Sequence, residues 1–317
     1  MNYHLYLHDD FDGTICGALL LHFFRSRGED VESYQFVSFT PKLKKTWPGF
    51  VFAKPFVIAD FLYHPQADWW FDHHISSFLK PVWQAGFRGD KRHHFDSSYK
   101  SCYGMILNFL KREYGYRPNR QLAVLEKQAD KIDSAAYESP REALTVKTLA
   151  QKLSFLIDSY EIGDTGGESF QRKAIKKLAF GDLGKFLSNP SYQKRLATIK
   201  KEIDDSFANY RRNGITKGRV SFLNKADSDL KILYAPFVGL AVFPDLEYTV
   251  IIYNHGNDYH ISISRNHWLK KKSKINLGKL AQKYGGGGHK DIAGIEADTR
   301  VAALKVSDEI VEYLNHD

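Results

Sequence analysis

The sequence predicts an α/β protein: a parallel sheet under helical cover, a long connecting helix, and a smaller C-terminal α/β domain. Three observations predict it. Short apolar strands alternate with helical segments in the N-terminal part; helical spacing dominates from Ser98 to Lys185; strand patterns return after Gly214 and end in two more helices.

Taken in order, "YHLYLH" alternates as a strand, and "TICGALLLHFFRSRG" has helical spacing and stops at Gly28. "VESYQFVSF" reads as a second strand, and "PFVIAD" and "WWF" are short apolar runs closed by acids. "SYKSCYGMILNFLKREYG", "NRQLAVLEKQADKI" and "PREALTVKTLAQKLSFLI" read as helices covering the sheet. "SNPSYQKRLATIKKEIDDSFANYRRNG" opens at a Pro break and ends at Gly214, the pattern of a connecting helix. Beyond it "RVSFLN", "LKILYA", "EYTVIIYN" and "YHISISR" read as strands, the last two joined by "HGND". Helices "NLGKLAQKYG" and "VAALKVSDEIVEYLNH" close the chain. The expected division is 1–187, a connecting helix over 188–215, and 216–317.

The chain of 317 residues suffices for two domains with their own cores, and its 43% hydrophobic content is that of a globular protein. No apolar run reaches the roughly 20 residues of a membrane helix. The start, "MNYHLYLHDD", has no basic segment leading into an apolar stretch, so a cytoplasmic protein is expected. Cys16 and Cys102 are too few for a disulfide framework and read as core residues. A formal charge of +8 suits a polyanionic partner.

Four clusters carry chemistry. His8, Asp10 and Asp12 are spaced two apart, so on an extended chain they point to one side and can converge on a cation. The same acids suit the cap of the helix that follows. Asp60 closes "FVIAD", and Asp72, His73 and His74 follow. Carboxylates with neutral imidazoles suit Mn²⁺ and similar ions, and adjacent histidines point different ways, so Asp72 is expected to orient one of them. "QADKID" places Asp130 and Asp133 near a helix end, where solvated acids are ordinary; Asp130 stands out for the company it keeps. "YGGGGHKDIAG", preceded by "ISISR" ending in Arg265, offers Gly286, Gly287 and Gly288 as backbone donors for an anion, with His289 beside them. A flexible linker is the other reading of that run.

"HDDFDG", "VIAD", "DHH", "QAD" and "GGGGHKDIAG", in this order and spacing, resemble the DHH phosphoesterase superfamily, a DHH domain followed by a DHH-associated domain, over nearly the whole chain. "YHLYLHDDFDGTICG" looks most like the nanoRNase B branch of short-oligonucleotide exonucleases. The resemblance implies two Mn²⁺, with Mg²⁺ or Co²⁺ as substitutes, in a cleft between the domains. His8, Asp10 and Asp130 would hold one ion, Asp12 and His73 the other, and Asp60 would bridge them. His74, backed by Asp72, would touch the phosphate or its attacking water, and Arg265, the glycine run and His289 would bind phosphate.

The implied activity is a metal-dependent phosphodiesterase releasing nucleoside 5′-monophosphates from short RNA or DNA, 3′ to 5′. Linear or cyclic dinucleotides, and polyphosphate or pyrophosphate, are the alternative substrates; a non-enzymatic nucleotide-binding regulator would have lost the acids. The basic stretches "RNHWLKKKSK" and "KLKK", interleaved with aromatics, suit a short single strand. A homodimer is a further expectation.

Overall fold

The computed structural model describes residues 1–160, 163–228, 233–255, 258–270, 273–288 and 290–316. They form two compact units, one of Met1–Ala136 with Val146–Leu196, the other of Tyr137–Thr145 with Ala197–Asp317.

The chain runs β1 (Asn2–His8), α1 (Phe11–Ser26), β2 (Asp30–Val37), α2 (Pro41–Thr46), β3 (Phe56–Ala59), β4 (Trp69–Asp72), α3 (Pro81–Gly86), β5 (His93–Phe95), α4 (Cys102–Tyr114) and α5 (Arg120–Asp133). It visits the second unit for α6 (Pro140–Ala143), then returns for α7 (Leu149–Asp158), α8 (Thr165–Phe180) and α9 (Leu183–Leu187). The long helix α10 (Pro190–Asn213) leads out of the first unit.

The first sheet is wholly parallel, in the order β2-β1-β3-β4-β5. The chain reverses its direction of progress across the sheet between β1 and β3, and a crevice beyond the carboxyl ends of such neighbouring strands is where α/β sheets bind ligands. The strand ends there carry His8, Asp60 and Asp72. Under one face lies an aromatic cluster of Tyr6, Trp47, Phe52, Phe56, Phe61 and Trp70, all buried. Fully burying each such ring contributes roughly 1.5–3 kcal/mol. Helix α1 is buried almost along its length, because a segment reading "TICGALLLHFF" has no polar face to turn outward. Cys16 and Cys102 are buried free thiols, as expected.

The second unit continues with β6 (Ile215–Lys217), β7 (Val220–Lys225), α11 (Ala235–Val242), β8 (Tyr248–His255), β9 (Asp258–Arg265), α12 (Leu277–Gln282), β10 (Gly287–Gly288), β11 (Ile292–Ala297) and α13 (Arg300–His316). Its six strands follow the order β10-β11-β9-β8-β7-β6; β7 and β8 pair in parallel and the rest are antiparallel. Val250, Ile252, Ile261, Ile263, Ile310 and Leu314 form its core.

Differences from the sequence expectation include the following. "PREALTVKTLAQKLSFLI" forms two helices rather than one, because Thr148 starts a new helix with a reciprocal cap on Gln151. The strand expected at "LKILYA" lies partly outside the described residues, and its last residue, Ala235, opens α11. The glycine run contains a strand, β10, at the sheet edge. Among the described residues no helix is long and apolar enough to cross a membrane.

Candidate metal centre

The site starts from a tight turn between β1 and α1. Asp10 caps α1, its Oδ1 accepting the Gly13 amide at 2.9 Å. A Cβ at Gly13 would stand 2.2 Å from the His8 carbonyl oxygen, so only glycine lets the helix start this close to the strand. Asp10 is thus the cap of α1, and its other oxygen, Oδ2, lies 3.0 Å from His8 Nδ1. Asp12, in the first turn of α1, points at the start of α4, where the Cys102 and Tyr103 amides donate to its two oxygens at 2.6 and 3.2 Å.

Asp60 lies one residue beyond β3, with φ at 62°, a left-handed conformation an aspartate tolerates better than most. The Asp60 amide donates to the Phe71 carbonyl of β4 at 2.9 Å, which ties that conformation to the neighbouring strand. Its carboxylate is fully buried and neither oxygen accepts a hydrogen bond. Around it stand three imidazoles: His8 Nδ1 at 3.6 Å, His74 Nδ1 at 3.7 Å and His73 Nε2 at 3.8 Å.

The two histidines after Asp72 do have different surroundings. His73 places Nδ1 3.2 Å from the Tyr99 carbonyl, which accepts only from N–H, so Nε2 is left as the lone-pair nitrogen. That nitrogen lies 3.3 Å from Asp133 Oδ2. His74 Nδ1 is 2.8 Å from Asp72 Oδ1. Asp72 also accepts the His73 amide at 2.8 Å and the Ser77 hydroxyl on its other oxygen. A carboxylate so fully engaged holds the His74 ring in place.

Electrostatics mark the cluster as crowded with negative charge. Burial first, then Asp12, Asp10 and Asp133, hold the Asp60 carboxyl well above the usual range. Asp133 is raised likewise by burial and by Asp12 and Asp10. Asp12 is pushed up to about 7 by burial and Asp10, against the two amides. Burial pulls His8 down, yet the Asp10 carboxylate beside it carries it to about 9, and the same contact draws Asp10 to about 2.

Ligand atoms of His8, Asp10 and Asp60 lie within 4.8 Å of one another, as do those of Asp12, His73 and Asp133, and those of Asp60, Asp72, His73 and His74. Two orphaned carboxylate oxygens amid mutually repelling acids, joined by imidazole nitrogens, fit divalent cations. The structure brings Asp133 to this centre rather than Asp130. Asp130 faces the start of α4, where its Oδ1 accepts the Ser101 hydroxyl at 2.6 Å. Helical spacing does distinguish them: Leu122, Leu125 and Ala129 mark the buried face of α5, and one further step of four residues reaches Asp133. Phe39 was also missed: its ring packs against those of His8 and His74, and Lys44 stands 5.7 Å over it.

In the second unit Arg265 ends β9, is 6% exposed, and meets Asp291 Oδ1 through Nη1 at 2.8 Å. Its Nε and Nη2 have no hydrogen-bond partner among the described residues. The glycine run is less open than an anion loop would be. The Gly286 amide donates to the Ala281 carbonyl at 3.0 Å, and Gly287 and Gly288 pair with Gly294 and Ala293 of β11. A Cβ at Gly286 would stand 2.2 Å from the Gly294 carbonyl oxygen, so packing against β11 alone requires a glycine there. His289 lies outside the described residues, as do Lys271 and Lys272 of the basic stretch. Trp268 of that stretch donates Nε1 to the Tyr137 carbonyl at 2.6 Å, a structural tie within its own unit.

No family model and no curated protein matches the sequence. Solved structures do. The chain is similar to the pGpG-specific phosphodiesterase PggH from Vibrio cholerae, with a TM-score of 0.73 and 20% identity, covering 99% of each chain. It is similar to exonuclease RecJ bound to manganese, with a TM-score of 0.53 and 12% identity, over 100% of this chain and 90% of that one. RecJ in complex with Mn²⁺ from Thermus thermophilus matches with a TM-score of 0.54 and 13% identity, over 98% of this chain and 52% of that one. The fold is the one that these solved structures share.

Proposed function

We propose that this protein is a metal-dependent phosphodiesterase that hydrolyses linear dinucleotides and other short oligonucleotides to nucleoside 5′-monophosphates. The observation that carries the reading is Asp60, a fully buried carboxylate with no hydrogen bond on either oxygen, shared by two sets of metal-type donors. His8 and Asp10 would hold one cation, Asp12, His73 and Asp133 the other, with Asp60 between them. Two such cations, Mn²⁺ in this reading, would supply an acidified water and charge neutralisation for phosphoryl transfer.

The remaining work belongs to the chain. His74, fixed through Nδ1 by Asp72, would hold a hydrogen bond to the phosphate or to the attacking water. Asp72 keeps that imidazole in one tautomer and orientation. Arg265, with Nε and Nη2 unengaged, would fork onto a phosphate as a planar guanidinium does. Gly287 and Gly288, on the edge strand β10, and His289 would stand beside that phosphate.

Short substrates are favoured by the similarity to a structure named for a pGpG-specific phosphodiesterase. Purified protein with Mn²⁺ tests the reading on dinucleotides, end-labelled trimers, long RNA and DNA, cyclic dinucleotides and polyphosphate. Fastest turnover of dimers to trimers, shortened from the 3′ end and abolished by EDTA, is expected. Polyphosphate consumed faster than any oligonucleotide would overturn it.

A further inference from the structure

Beside the metal centre the first unit holds a cavity of about 360 Å³, within the roughly 300–1,000 Å³ of small-molecule sites. Asp10 belongs to both the cavity wall and the metal centre, so the two adjoin. Asp164, Glu168 and Gln171 line the cavity from the start of α8, with ring surface from Phe36 and Tyr160. No Lys or Arg is among the described lining residues.

Gln171 gives the cavity a fixed polarity. The residue is 5% exposed, and its Nε2 donates to the Asp9 carbonyl at 2.9 Å and to Thr14 Oγ1 at 3.0 Å. Those two acceptors set which end of the amide is which, and Oε1 is left with no hydrogen bond among the described residues. Asp164 uses Oδ1 to cap α8 on Gly166, and Glu168 meets Arg172 through Oε2. Each keeps a second carboxylate oxygen outside those bonds. A lining rich in carboxylate and amide acceptors, with the cation that pairs with Glu168, Arg172, outside the described lining residues, selects an edge made of donors.

Among the nucleobases of RNA, guanine alone presents two adjacent donor groups, N1–H and the exocyclic amine, on one edge. Adenine and cytosine place a ring-nitrogen acceptor there, and uracil has a single donor flanked by carbonyls. We propose that this cavity seats a guanine of the nucleotide adjoining the scissile phosphate, read by Gln171 Oε1 and the carboxylates of Asp164 and Glu168, with Phe36 against the base. The proposal rests on the phosphodiesterase reading above for its substrate, but not for its binding site.

Two measurements test it separately. Metal-free protein in EDTA is titrated with guanosine and with adenosine, and Mn²⁺-loaded protein is assayed on linear pGpG and pApA. Guanosine is expected to bind at least about tenfold tighter than adenosine, since one hydrogen bond to a charged group is worth about that factor or more. Gln171→Met and Asp164→Asn are each expected to cut the pGpG to pApA ratio of kcat/KM about tenfold, with manganese content unchanged. Asparagine caps a helix as well as aspartate does, and a ratio taken on one preparation cancels any loss of folded protein. Equal binding of the two nucleosides, or a ratio unmoved in both variants, overturns the pocket. Guanosine binding that depends on Gln171, in a protein that cleaves no dinucleotide, supports the pocket and overturns the phosphodiesterase reading instead.

Discussion

His73 Nε2 stands 3.3 Å from Asp133 Oδ2, while Asp130, three residues earlier on α5, accepts the Ser101 hydroxyl at 2.6 Å. One helix thus sends one acid to the cluster around His73 and another to the cap of α4. Asp133→Ala is expected to weaken Mn²⁺ binding by more than the roughly 10- to 100-fold that loss of an orienting partner costs. Asp130→Ala removes a side-chain hydrogen bond worth about 1 kcal/mol and leaves the metal count as it was. Elemental analysis and Mn²⁺ titration of both variants check this; the opposite pattern would return the ligand role to Asp130.

Asp60→Asn is expected to abolish metal binding and yet to leave the metal-free protein at least as stable as the wild type at pH 8. The folded-state values of Asp60, Asp133 and Asp12 are all raised, that of Asp12 to about 7. A group raised on folding contributes stability fully present below its unfolded value, near 4 for a carboxylate, and lost as pH rises through the folded value. In EDTA the melting temperature of the wild type should therefore fall as pH rises from about 4 through 7. Asparagine accepts the positive φ and carries no charge to repel its neighbours. Thermal melts in EDTA and in Mn²⁺ across this window decide it: a wild type in EDTA that gains stability with rising pH would sink the account.

Metal uptake should release protons for the same reason. His8, raised to about 9, holds its proton at neutrality in the metal-free protein and Asp12, raised to about 7, holds its proton in part, and a ligand atom must shed its proton to bind. Calorimetric Mn²⁺ titrations at pH 7 in two buffers of different ionisation enthalpy give the number released. More than one proton per chain is expected, and none would contradict the assignment of these two groups as ligands.

How much of this was legible in the sequence depends on whether a pattern or a neighbour sets the feature. His8, Asp60 and Asp72 were readable because an apolar strand that ends in a charged residue points to the sheet's carboxyl edge. Period-2 spacing placed Asp10 and Asp12 near one another, though their convergence comes from a helix start, not from an extended chain. Strand β5 was missed because "HHF" has three residues and no alternation, and it exists only through pairing with β4. The strand inside the glycine run is likewise set by a partner distant in sequence, whereas the inward face of α5 follows its own apolar spacing at Leu122, Leu125 and Ala129. Gly287 and Gly288 have low intrinsic preference for a strand; pairing with β11 overrides it.

Gly13→Ala tests the tight turn beneath the site. The added methyl would meet the His8 carbonyl oxygen at 2.2 Å, and the neighbour is backbone, so the turn has to open. A steric conflict of this kind in a buried element belongs with the roughly 2–4 kcal/mol losses. A clear drop in melting temperature, with Mn²⁺ affinity falling because His8 and Asp10 flank the turn, is expected. Unchanged melting and metal binding would show that the β1–α1 turn is looser than these distances imply.

Arg265 makes the last test, because it separates phosphate binding from metal binding. It is buried, anchored to Asp291 by one nitrogen, and keeps Nε and Nη2 without partners among the described residues. A buried guanidinium half satisfied by protein is costly to keep unless something else completes it, and a phosphate offers two oxygens at the matching spacing. Arg265→Lys retains the charge and loses the fork, so it should raise KM and lower kcat/KM about tenfold or more, while manganese content stays at the wild-type value. Arg265→Met, similar in length and uncharged, should lose more, with no fall in melting temperature beyond that from the Asp291 pair. His289→Ala is expected to act in the same direction. The kinetics of the three variants on one dinucleotide, set beside their metal content, settle the role: turnover unchanged in Arg265→Met would remove this residue from phosphate binding, and loss of manganese with it would mean that Arg265 acts on the metal centre instead.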